Sequence, residues 1–365
     1  MLPKTELPIP QYFKSAIEER VEELYVPDYI ARAKEAEEWA KTYNVKPAAT
    51  QQFNFSLLIV DFQVAFCMLV GSLFVRGRSG RGAIDDVKRL CYFILKYGHL
   101  IKKIITTLDT HRAMAVFHAM FWVDMYGNHP KPGVQITARD VKNGKWKINP
   151  RVIPEMFQGN MAYAQLFAEH YTQTLEKNGK KLLIIWPYHV ILGGIDHSLI
   201  PILHEVIFFW EVMRATMRDN EVKGGDPFRE MFSAINPEVN SMPNPDRTKP
   251  PIIVSQRNTR FVKTLVTSDA LATATQAKSH CGADTIEDFG TDFKEQDPVL
   301  VQKVYLGEDV TSSVYLPGAM EDGSDLDFTE VGDAAYQEFG GWGMNLVLFE
   351  QAPWTWPGII QTAFN

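Results

Sequence analysis

Six short apolar runs recur along the chain with amphipathic segments between most of them, and this alternation constrains the fold more than any other feature. The runs are "SLLIVDF" (56–62), "KKIITTLD" (102–109), "KLLIIW" (181–186), "DALATAT" (269–275), "VQKVYLG" (301–307) and "MNLVLFE" (344–350). Each has the length of a strand and is too short for a buried helix. Segments near 83–97, 162–176, 198–217, 257–267, 281–289 and 330–340 carry helical spacing instead. Strands interleaved with helices predict an α/β fold: a three-layer α/β/α domain with a six-stranded, mostly parallel sheet, spanning 52–365.

Two segments fall outside this rhythm. Residues 1–51 hold two charged helical patterns separated by Pro27, with apolar stripes that include Ile17, Val21, Leu24, Ile30 and Trp39. They read as a helical N-terminal extension that packs on the domain or on a neighbouring subunit. Residues 112–156 are too long for an ordinary strand-to-helix link and read as an insertion, either an active-site cover or a subunit contact.

Composition narrows the partners. The formal net charge is -7 and there is no long Lys/Arg block, so a nucleic-acid partner is not expected. The cysteines are Cys67, Cys91 and Cys281, an odd and sparse set that fits neither a disulfide framework nor a thiolate-rich metal site. A reducing, cytoplasmic setting follows, and the N-terminal stretch has no apolar core of a secretory signal. The most apolar helical stretch, "LIPILHEVIFFWEVM", carries His204, Glu205 and Glu211, so no membrane span is expected. The stretch "VRGRSGRGAID" lacks the GxGxxG spacing of a dinucleotide site, and no organic cofactor is expected.

In parallel sheets ligands bind beyond the carboxyl ends of the strands, and those positions here are polar. Asp61 ends the first run, Asp109 and His111 the second, His189 lies just past the third, and Cys281 follows the fourth. A cysteine in the first turn of a helix faces unpaired N–H groups that favour its thiolate. Asp61 is placed to move a proton, and Lys223, beside two glycines, offers a cation. Each has an ordinary reading when taken alone: a buried cysteine, a helix cap, a solvated lysine. Asp109, His111 and His189 together supply one carboxylate and two imidazoles, a set that suits a divalent zinc, iron or manganese ion.

The motifs "LLIVDFQVAFC", "TTLDTH", "IIWPYHVILGG", "VKGGDPFREMFSAINPEV" and "TQAKSHCGADTIEDF" occur in this order over about residues 55–350. In that order they resemble the isochorismatase-like cysteine hydrolases, the superfamily that contains the nicotinamidases. The resemblance implies an Asp61, Lys223, Cys281 catalytic triad and a metal site at Asp109, His111 and His189. It also implies a cis peptide at Gln276-Ala277 and an oxyanion hole from the amides of Ala277 and Cys281. Phe66, Phe121, Trp122 and Trp186 are the expected aromatic walls of the substrate pocket. The expected activity is hydrolysis of a small-molecule amide through a thioester, by a homo-oligomer. Its rivals are isochorismatase-type, ureido or cyclic-amide hydrolysis on the same framework, and a noncatalytic binding or scaffold role. Val190 departs from the pattern, in which "WPxH" is commonly followed by cysteine, as do the insertion and the N-terminal extension.

Overall fold

The computed structural model describes residues 1–178, 181–319 and 323–364. Its centre is one sheet of six strands: β1 (Phe55–Val60), β2 (Lys103–Asp109), β3 (Asp219–Lys223), β4 (Ala270–Gln276), β5 (Val304–Ser312) and β6 (Asn345–Val347). They lie in the order β6-β5-β4-β1-β2-β3, and every neighbouring pair is parallel. Every residue of β1 and β4 is buried, as strands covered on both faces require.

Among the described residues eight longer helices accompany the sheet: α1 (Gln11–Arg20), α2 (Tyr29–Thr42), α3 (Gly82–Tyr97), α4 (Met161–Asn178), α5 (Pro201–Met213), α6 (Thr259–Val266), α7 (Ala283–Gln296) and α8 (Thr329–Gly341). In α3 the buried residues Ile84, Val87, Leu90, Cys91 and Ile94 recur at three- and four-residue spacing, which turns one apolar face to the core. The chain steps outward from β1 through α3 to β2, and in the opposite direction from β4 through α7 to β5. Right-handed crossovers in opposite directions place α3 and α7 on opposite faces of the sheet. The contacts agree, since α3 packs with α5, and α7 with α6 and α8. Strand order therefore reverses between β1 and β4, and the crevice beyond their carboxyl ends is where such a sheet binds ligands.

The third sheet strand is not the expected one. Of 181–186 only Leu183–Ile184 is extended, and it pairs antiparallel with Gln135–Ile136 of the insertion. The place beside β2 is taken by β3, "DNEVK", a polar edge strand with its first two residues exposed. An edge strand has no second neighbour to bury it, so it needs no apolar run.

The insertion builds a small core of its own against α4. Trp122–Val123 pairs with Lys147–Ile148, and a short helix, Ala138–Lys142, starts from a Thr137/Asp140 capping box. Phe121 packs on Phe157 and Phe167, with ring centroids 6.2 Å apart in each pair.

In the N-terminal segment α2 packs along α5, and α1 touches α3 and α5. Phe13, Ile17 and Val21 are buried, whereas Leu24 and Ile30, expected in the same stripe, are exposed. Burying Phe13 and Ile17 is worth about 1.5–3 kcal/mol each as an upper bound. Glu205 of α5 is fully buried beneath this layer and accepts from the Tyr12 hydroxyl at 3.2 Å and the Tyr25 hydroxyl at 2.6 Å. The Arg32 guanidinium lies 3.5 Å away on the same carboxylate. Among the described residues no helix is long and apolar enough to cross a membrane.

Candidate active site

The strand ends converge on one buried ammonium. Lys223 closes β3, in register with Asp109 at the end of β2, while Asp61 directly follows β1. The Lys223 Nζ lies 3.0 Å from Asp61 Oδ2, 2.9 Å from Asp109 Oδ1 and 3.5 Å from Cys281 Sγ. It also donates to the Met231 carbonyl at 2.9 Å. The next residue, Gly224, has φ +79, and an added Cβ would lie 2.7 Å from Asp109 Oδ1, so only glycine lets the chain turn here.

Asp61 is fully buried at φ +56, a left-handed conformation uncommon for a non-glycine residue. Its Oδ1 accepts from the Thr107 hydroxyl at 2.5 Å, and that same Oγ1 accepts the Asp61 N–H at 3.1 Å. Burial pushes the Asp61 carboxyl up despite the Lys223 charge beside it. In Asp109 burial also works against the charged form, but the neighbouring His111 and the Lys223 ammonium outweigh it and hold the carboxyl well below the usual range. The two carboxylates share one cation and are driven in opposite directions.

Cys281 is in a π-helical turn, Lys278–Gly282, that joins β4 to α7. The sequence predicts a thiolate favoured by the helix start, and the structure corrects this. Burial pushes the thiol well up, Lys223 opposes the shift, and Asp61 and Asp109 add to it. Cys281 is 7% exposed in a site with two nearby carboxylates, so the neutral thiol is its resting form. The peptide bond Gln276-Ala277 is cis.

The histidine set is larger than expected. Ligand-bearing atoms of His111, His118 and His189 all lie within 4.8 Å of one another, and all three residues are buried. His189 donates through Nδ1 to the Pro187 carbonyl at 2.8 Å, and His118 through Nδ1 to the Arg112 carbonyl at 3.0 Å, so each keeps a bare Nε2. His111 Nε2 lies 3.1 Å from Asp109 Oδ2. His111 Nδ1 and His118 Nε2 have no hydrogen-bond partner among the described residues although both are buried. Burial and the neighbouring His111 hold His118 down at about 4 and His189 well below its ordinary value. The bare Nε2 atoms of neutral His118 and His189, beside His111 and the Asp109 carboxylate, fit a divalent cation.

Backbone and side-chain bonds hold the two sets together. Gln63 accepts the Asp109 N–H at 2.8 Å and donates to the carbonyls of Asp109 at 2.9 Å and His197 at 2.8 Å. The His111 N–H donates to the carbonyl of Val190 at 3.0 Å. Val190 itself has φ +43, a strained conformation for a β-branched side chain.

A cavity of about 30 Å³ opens onto the sulfur, lined among others by Phe66, Trp186, His189, Glu230, Ala277 and Cys281. Trp186 donates through Nε1 to Glu230 Oε1 at 2.7 Å. The expected walls Phe66 and Trp186 are in place, but Phe121 and Trp122 are not. Both are fully buried in the core of the insertion, and the Trp122 indole N–H donates to the Val116 carbonyl at 2.6 Å. Sequence reasoning missed His118, Gln63, Thr107 and Glu230. For His118 a signal was present: an imidazole inside the apolar stretch "AVFHAMFW" needs a partner when that stretch is buried.

No family model matches the chain, and no curated protein matches it. Solved structures do. A nicotinamidase/pyrazinamidase of Acinetobacter baumanii is similar at 16% identity and TM-score 0.46, covering 82% of this chain and 99% of that one. The yeast nicotinamidase bound to the inhibitor nicotinaldehyde is similar at 15% identity and TM-score 0.46, with 80% and 99% covered. The pyrazinamidase of Pyrococcus horikoshii in complex with zinc is similar at 13% identity and TM-score 0.38, with 81% and 99% covered. At these values the likeness is one of backbone path, and the chemistry of the site has to be argued from its own side chains.

Proposed function

We propose that the chain is a cysteine-dependent hydrolase that cleaves the C–N bond of a small amide through a thioester. The observation that carries this reading is the buried Lys223 ammonium, 3.5 Å from the Cys281 sulfur and 3.0 Å from the Asp61 carboxylate. Asp61 takes the thiol proton as the sulfur attacks the amide carbonyl, and Lys223 favours the negative charge on sulfur. The resting thiol is neutral, so proton transfer accompanies attack. The amides of Ala277 and Cys281 receive the oxyanion, a role worth roughly 3 kcal/mol per donor. Asp61 returns its proton to the departing ammonia, then takes one from the water that cleaves the thioester to the acid and passes it to the leaving sulfur, which restores the thiol.

Asp109, His111, His118 and His189 are the residues that would hold a divalent zinc, iron or manganese ion. When bound, such an ion supplies a Lewis acid that orients a substrate heteroatom or a water. Asp109 remains ionised throughout, which suits a ligand and unsuits it as the base.

The test is ammonia release from nicotinamide, pyrazinamide and small aliphatic and ureido amides by the purified protein and its C281A variant. The expected result is release by the wild type that falls by about 10³-fold or more in C281A, with circular dichroism unchanged. A fully active C281A protein would overturn the reading.

A further inference from the structure

Asp86 lies on α3, outside the residues that line the cavity, and is 1% exposed. Its Oδ2 accepts from Gln276 Nε2 at 2.7 Å and from Ser312 Oγ at 2.6 Å, and its Oδ1 from Arg89 Nη2 at 3.0 Å. Gln276 and Ser312 are register partners at the carboxyl ends of β4 and β5. One carboxylate from the helix layer therefore ties together the last residues of two strands. The residue after Gln276 is Ala277, whose N–H is assigned above to the oxyanion.

That strand end needs such a tie. The ladder between β4 and β5 slips: Thr273 pairs with Leu306 and Thr275 with Thr311, two residues' advance on β4 against five on β5. A bulge of this kind frees the end of a strand from its neighbour's alignment. Gln276 Oε1 is buried without a partner among the described residues, so the bond to Asp86 is what fixes the side chain.

We infer that Asp86 is a positioning residue of the hydrolase, holding the end of β4 so that the Ala277 N–H meets the oxyanion. This rests on the amide-hydrolase reading. The choice of residue supports it. Burial raises the Asp86 carboxyl to about 6 even though three donors face it, so a charged group here opposes folding at neutral pH. A position that only filled space would be better served by Asn or Leu; a charged acceptor holds its donors more firmly than a neutral one.

The experiment compares D86A and D86N with the wild type in three measurements. These are kcat and KM for ammonia release from whichever panel amide the wild type hydrolyses best, the rate of Cys281 alkylation by iodoacetamide, and hydrogen exchange over 276–282. Alkylation forms no oxyanion, so it reports the thiol alone. In D86A we expect kcat to fall about 30-fold or more, with KM and the alkylation rate changed by less than about threefold. D86N, which keeps an oxygen acceptor for Gln276 but not the charge, should recover part of the loss. A D86A kcat within about threefold of wild type overturns the inference, and so does an equal fall in alkylation. If D86A does not fold, Q276A removes the same bond from the strand side and is judged by the same thresholds. If the wild type releases no ammonia from any panel amide, the amidase reading fails by itself and exchange decides. Faster exchange confined to 276–282 in D86A then sustains the positioning role, and unaltered protection there overturns it.

Discussion

The ends of β1 and β2 carry one aspartate each, both fully or nearly fully buried, both within 3.0 Å of the same ammonium, and their carboxyl groups are driven in opposite directions. The difference lies in the second partner. Asp61 has a threonine hydroxyl, which adds no charge, while Asp109 faces an imidazole and through it the histidine cluster. Under the proposed function, two identical side chains on neighbouring strands would serve as base and ligand by environment alone, the pattern by which one site separates proton-transfer and binding roles.

Substitution can break this division in graded ways. The largest effect is expected from D61N, which should lower kcat by about 10³-fold or more while metal content, measured by emission spectrometry, stays at the wild-type level. Loss of metal with little loss of turnover would invert the assignment. Next is D109N, which strips a buried cation of one of its counter-charges and should cost about 3–5 kcal/mol at pH 7 in urea unfolding. The sign with pH separates the two residues. Asp109 has a depressed folded value, so its contribution is present above the unfolded value of 3.8 and is lost as pH falls below it; the D109N deficit should shrink in acid. Asp61 has a raised folded value, so its charged form opposes folding at neutral pH, and any advantage of D61N should shrink as pH falls. Parallel pH curves for the two variants would defeat the comparison. The smallest effect is that of H118A, which should weaken zinc or manganese binding about 10–100-fold by calorimetry and leave iodoacetamide alkylation of Cys281 unchanged. Unchanged affinity would remove His118 from the ligand set.

Strand-end logic located Asp61, Asp109, His111, His189 and Cys281 in the sequence, because a parallel sheet delivers its polar termini to one edge. It failed where burial and sequence pattern part company. β3 is an edge strand and carries no apolar run, whereas 181–186 is apolar because it is buried between the insertion and the rest of the domain. Phe121 and Trp122 were misplaced for a related reason, since an aromatic near a site in sequence is equally good packing material for a satellite core. The thiol was misjudged because a helix start is visible in sequence while two carboxylates brought from distant strands are not. Asp86 bonds across the fold, at sequence separations where local pattern has nothing to offer, whereas the apolar stretch around His118 was a signal that strand-end logic alone does not use.

The buried Glu205 has a consequence for how the chain tolerates trimming. Its partners, the Tyr12 and Tyr25 hydroxyls and the Arg32 guanidinium, all come from the first 32 residues. A protease cut that released them would open this carboxylate to water and uncover the apolar face of α5 that Phe13 and Ile17 bury, and the lost burial is what the cut would cost. A fusion joined at residue 51 would therefore lose every one of these partners together with the buried Phe13 and Ile17.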